Sequence, residues 1–138
     1  MIKKTVQALC DKHGTRDPYR LAESLGIQVL YHDLGTVRGY YFMAHRVKLI
    51  CLHNNLPEYV ERFVLAHEVG HSVLHPNSNT PFLQTTFLSV DKMEIEANKF
   101  ASELIIADGE LLEYRDYTVN QLAGVYGVPV EIIKLRIK

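Results

Sequence analysis

His67-Glu68-Val69-Gly70-His71 sets two imidazoles four residues apart with a carboxylate between them, the HExxH pattern of a hydrolytic zinc site. At 3.6 residues per turn the two histidines fall about 40° apart around a helix and about 6 Å apart along it, so one ion can take a nitrogen from each. Glu68 lies on the shoulder of the same face. There it can accept a proton from a water on the metal without being a ligand itself.

Histidine is common in this chain, seven in 138 residues, so the context of the motif matters. Glu58 to His75 reads as an amphipathic helix whose apolar face gathers Val60, Phe63, Val64, Ala66, Gly70, Val73 and Leu74. Both histidines fall inside that arc. A lone histidine there would be a satisfied core residue, but two at i and i+4 flanking a glutamate call for a metal or strong hydrogen-bonding partners. Leu56-Pro57-Glu58 starts the helix and Pro76 stops it.

Catalytic zinc takes a third protein ligand and keeps a position for water. The next helical pattern, Asp91 to Ala107, supplies candidates. Its apolar face holds Met93, Ala97, Phe100, Ala101, Leu104 and Ile105, and Glu94 projects within that arc while Glu96 falls at its edge. A carboxylate aimed at a core calls for a cation, so Glu94 is the expected third ligand and Glu96 the reserve. Asn98, one turn after Glu94, is placed to orient a ligand. Asp91 and Glu94 form a capping pattern, and Asp108-Gly109 ends the run.

The segments Arg62-Phe63-Val64-Leu65-Ala66-His67-Glu68-Val69-Gly70-His71-Ser72-Val73-Leu74-His75 and Glu94-Ile95-Glu96-Ala97-Asn98-Lys99-Phe100-Ala101-Ser102-Glu103-Leu104 together resemble the ImmA/IrrE family of zinc metallopeptidases. The paired signature is far more specific than HExxH alone, and the resemblance runs through most of the chain. It departs from the pattern after the second segment, where Leu104-Ile105-Ile106 stands in place of a common Leu-Met-Pro. The resemblance implies Zn2+ held by His67, His71 and Glu94, with Glu68 as catalytic base. It also implies a helix-turn-helix repressor as substrate, whose cleavage relieves repression of a phage or mobile element. The alternative is a zinc-binding antirepressor that acts by protein binding without proteolysis.

The remaining elements suit an α+β fold. Asp17-Pro18 opens a short helix to Leu25, Ile27 to Tyr31 reads as a strand, and Val37 to Met43 and Val47 to Leu52 form a hairpin through Ala44-His45-Arg46. The expected architecture is a minimal zincin-like core over residues 1–138, one domain: a small, mostly antiparallel sheet, the HExxH helix, the third-ligand helix and a C-terminal helical hairpin. Asn77 to Ser89, with Phe82, Leu83, Phe87 and Leu88, is a long connection that either shapes a substrate cleft or packs on the core. For a second oxyanion donor the sequence offers His75, Tyr40 and Tyr41.

Thr118-Val119-Asn120-Gln121 is a capping box, and the helix, turn and helix that follow to Lys138 could read DNA through Lys134, Arg136 and Lys138. The net charge of −1 argues against a nucleic-acid surface, so a hairpin packed on the core is expected and no direct DNA binding. Two cysteines without a CxxC pattern suit a reducing compartment, and no stretch reads as a signal peptide or membrane span. The expected location is the cytoplasm.

Overall fold

The computed structural model describes residues 1–137. Helices α1 (Ile2–His13) and α2 (Pro18–Ser24) precede strands β1 (Gln28–His32), β2 (Gly39–Ala44) and β3 (Val47–His53), after which come α3 (Glu58–Leu74), α4 (Lys92–Ile105), α5 (Asp108–Glu113), α6 (Val119–Tyr126) and α7 (Val130–Ile137). This is the α+β arrangement expected. The three strands lie in the order β1-β3-β2, with β2 antiparallel to β3 and β1 parallel to it, so the sheet is mixed where a mostly antiparallel one was expected. Ile50, Cys51 and Leu52 make β3 the strand that must be covered on both faces, so it inserts between β1 and β2; since those two run in opposite directions and β3 is hairpinned to β2, it runs parallel to β1.

The β2–β3 hairpin closes through His45 and Arg46, both with positive φ, at 51° and 66°. Two central residues of that kind make the mirror-image turn whose twist suits paired strands, although neither is the glycine or asparagine that usually advertises it.

Helix α3 departs from its expected form. Every residue from Phe63 to Ser72 is buried, so the helix is covered all round and is not a surface helix with one apolar stripe. It packs on α4 most extensively and also on β2, β3 and α2. A central helix of this kind carries polar residues only where they have partners, which gives meaning to each of His67, Glu68, His71 and Ser72.

Helix α4 is held from behind by α1 and α7. The sequence pattern did not reveal α1; its only buried residues are Val6 and Cys10, one turn apart, too thin a stripe to stand out. Helix α5 likewise begins where the α4 pattern was expected simply to end.

The capping box at Thr118 and Gln121 forms as expected, and Gly127 closes α6 at φ 65°. A side chain at Gly127 would also strike Tyr59, at 2.2 Å from its ring. Arg136, one of the three basic residues considered for reading DNA, is buried: its Nε donates to the Ile106 carbonyl at 2.9 Å and its Nη2 to Asp108 at 2.6 Å. Lys134 is exposed, and Lys138 lies outside the described residues. Arg136 is therefore a clasp between α7 and the end of α4. Replacing it by Ala should lower stability by about 1–3 kcal/mol, read as a shift in the urea midpoint, with no change in binding to duplex DNA.

Candidate metal centre

Helix periodicity turns His67 and His71 to the same side of α3, and the close approach of α4 brings a carboxylate to meet them. That approach depends on Gly70, where an added Cβ would lie 3.0 Å from Phe100. Phe100 is fully buried and has nowhere to move. Asp91 caps α4 by accepting from the amides of Met93 and Glu94. The Glu94 side chain does not return the cap but points inward.

Glu94 Oε1 lies 2.5 Å from His71 Nε2 and 3.4 Å from His67 Nε2. Among the described residues, these three side chains form a cluster whose ligand atoms all fall within 4.8 Å of one another, each residue being buried. Glu96 is not part of the cluster; it contacts His75 instead. Two imidazole nitrogens and one carboxylate oxygen are a donor set for a divalent transition metal, with room for a further ligand. The fit shows in an unmet need: His67 Nε2 is buried with no hydrogen-bond partner, pointing at the place where an ion would satisfy it.

The rings are held in register from behind. His67 Nδ1 lies 2.8 Å from Asn98 Oδ1, and Asn98 Nδ2 donates to the Thr86 carbonyl at 3.0 Å, which fixes which way the amide faces. Phe82 stacks edge-on against His67 with ring centroids 4.8 Å apart. Asn98 thus takes the orienting position expected of it.

Electrostatics follow from burial. Desolvation pushes the His67 imidazole below its usual pKa, against the pull of Glu94. For Glu94 burial works upward, but the two facing imidazoles outweigh it and hold the carboxyl at about 2. Glu68 has no such help. It is fully buried with neither oxygen hydrogen-bonded, and desolvation, then the charge of Glu94, raise it well above the carboxylate range, opposed only by the nearby Tyr41 amide. Burial thus favours the protonated form of Glu68 and gives its ionised form a high affinity for a proton.

Of the three oxyanion candidates, Tyr41 and His75 have their polar side-chain atoms engaged, and Tyr40 lies on the other face of its strand. The Tyr41 hydroxyl donates to the Pro76 carbonyl at 2.8 Å, and Tyr40 is on the opposite face of β2 by strand alternation. Both ring nitrogens of His75 are engaged, by His71 and by Glu96.

The connection from α3 to α4 packs on the core through some of its residues and leaves others outward along a cleft. Phe82 is fully buried and bridges to Gly39 at the edge of β2, and Phe87 packs on Phe63. Leu83, Leu88 and Val90 stay exposed, and with Thr85 and Ser89 they line an open cleft that has Glu94 in its wall.

Residues 22–138 match the peptidase M78 family, described as an IrrE N-terminal-like domain. The chain belongs to that family. It is 40% identical to uncharacterized immunity region protein 2 of Bacillus phage phi105, over 99% of this chain and 89% of that protein. It is also 36% identical to metallopeptidase ImmA of Bacillus subtilis (strain 168), over 93% of this chain and 79% of the relative. A metallopeptidase family accounts for a buried ligand cluster next to an unpartnered carboxylate. No helix among the described residues is long and apolar enough to cross a membrane.

If the α3–α4 approach sets the cluster, Gly70→Val should cost about 1–3 kcal/mol through overpacking against Phe100. The same variant should weaken metal binding, seen as a smaller rise in melting temperature when a divalent transition metal is added. An unchanged response would show that the approach does not govern the site.

Proposed function

We propose that the protein is a zinc-dependent endopeptidase whose substrate is a helix-turn-helix repressor, and that its cleavage relieves repression of a phage or mobile element. The observation that carries the catalytic part is Glu68, fully buried and unpartnered beside His67, His71 and Glu94. The substrate rests on the relatives: one is named for a phage immunity region and the other as metallopeptidase ImmA.

In this reading His67 Nε2, His71 Nε2 and Glu94 hold the metal, in a gluzincin-like set. Bound zinc supplies Lewis acidity and a water whose pKa falls towards about 7, and its charge favours the ionised form of Glu68. Glu68 takes the proton from the attacking water and delivers it to the leaving amine. Phe82, lying on His67, keeps bulk water from that side of the ring. Strand β2 is an edge strand whose Tyr41 amide neighbours Glu68, so an extended segment adding to this edge would bring its peptide bond to the base. The cleft between the loop and Glu94 would receive its side chains.

Glu68→Gln separates proteolysis from sequestration. It preserves shape and should retain zinc, while cleavage of the co-expressed repressor should fall by about a hundredfold or more. Discrete fragments with the wild type alone would establish site-specific cleavage. An intact repressor that co-purifies with both forms would mean binding without proteolysis.

A further inference from the structure

Two residues outside the ligand set are joined to it by hydrogen bonds. His75 Nδ1 lies 3.0 Å from His71 Nδ1, and His75 Nε2 lies 2.8 Å from Glu96 Oε1. The three side chains run from the buried cluster outward, with His75 at 11% and Glu96 at 34% side-chain exposure. We infer that His75 and Glu96 are positioning residues for His71, fixing its ring and its tautomer so that Nε2 is the ligand atom. The inference rests on the metal reading proposed above.

With His71 Nε2 given to a metal, proton placement leaves one consistent assignment. An imidazole that binds a metal through Nε2 carries its proton on Nδ1. His71 Nδ1–H then donates to His75 Nδ1, which accepts only if the His75 proton is on Nε2. That proton faces Glu96, whose carboxylate accepts. Every member of the chain is satisfied. The reverse direction puts the His71 proton on Nε2, the atom that must face the ion.

Asn98 performs the same service for His67 by different means. Its amide is anchored to the Thr86 carbonyl inside the protein, whereas the His71 chain ends on a half-exposed carboxylate. Glu94 and Glu96 therefore divide the work of one helical turn: the first meets both ligand histidines, and the second meets the residue behind one of them.

Helix capping does not account for the His75 ring. The cap at the end of α3 is made by the His75 backbone, whose amide donates to the His71 carbonyl at 2.7 Å whatever the side chain is.

The test is zinc affinity, measured on the full chain by competition with a chromophoric chelator. His75→Leu, which leaves His71 Nδ1 without an acceptor, should weaken zinc binding about 10–100-fold. His75→Asn places an amide oxygen where Nδ1 was and should restore most of the affinity. Glu96→Gln keeps an acceptor for His75 and should lose less than His75→Leu. The visible spectrum of the cobalt-loaded protein should change with His75→Leu and return towards wild type with His75→Asn, a pattern that a general loss of packing would not produce.

Melting of each metal-free variant checks folding. If His75→Leu does not fold, His75→Asn and Glu96→Ala carry the comparison, with a loss expected for the second and near-retention for the first. Zinc affinity of folded His75→Leu within about twofold of wild type, or His75→Asn as weak as His75→Leu, would overturn the inference. His71→Ala binding zinc as tightly as the wild type would instead remove His71 from the ligand set, a separate failure.

Discussion

Gly70 lets the ring of Phe100 lie against the backbone of α3, and that approach sets the distance from which Glu94 reaches both imidazoles. Two helices with ordinary side chains at the crossing would sit farther apart. The rest of the molecule holds this crossing closed. The sheet backs α3 on one side, while α1 and α7 press on α4 from the other, and Arg136 fastens α7 to the chain leaving α4. The terminal helices thus contribute to the centre without supplying a residue to it.

A helix buried on every face is a costly place for three ionisable side chains, and the structure treats them unequally. His71 is bonded at both nitrogens and His67 at one, by Asn98. His67 Nε2 and both oxygens of Glu68 remain unpartnered. Desolvation without compensation destabilises a fold unless it serves chemistry, and these atoms belong to adjacent residues of one helix. Besides Arg16 Nε and Ser78 Oγ, the buried unpartnered polar side-chain atoms among the described residues lie on His67 and Glu68.

The loop between α3 and α4 shows how one segment reconciles packing with access. Phe82 is driven inward, pairs its backbone with the sheet edge and bears on His67, which secures the loop beside the site. Its neighbours Leu83 and Leu88 remain outward on the cleft side. Apolar residues in a loop did not by themselves say which of them would turn in, because no periodicity constrains a segment without regular structure.

Local rules made much of this protein readable. The i, i+4 histidines, the inward projection of Glu94, the capping residues Asp17, Asp91 and Thr118, and the hairpin all follow from short-range geometry. Glu94 and Glu96 were also separable by helical phase alone. The tertiary structure decided what depends on distant partners: the parallel placement of β1, the burial of α3 on all faces, the inward turn of Arg136, and the pairing of His75 with Glu96. His75 and Glu96 are 21 residues apart, and each has an innocent local reading, a helix end and an exposed acid. Their meeting is set by how α4 lies across α3, a relation between helices that spacing within either one does not encode.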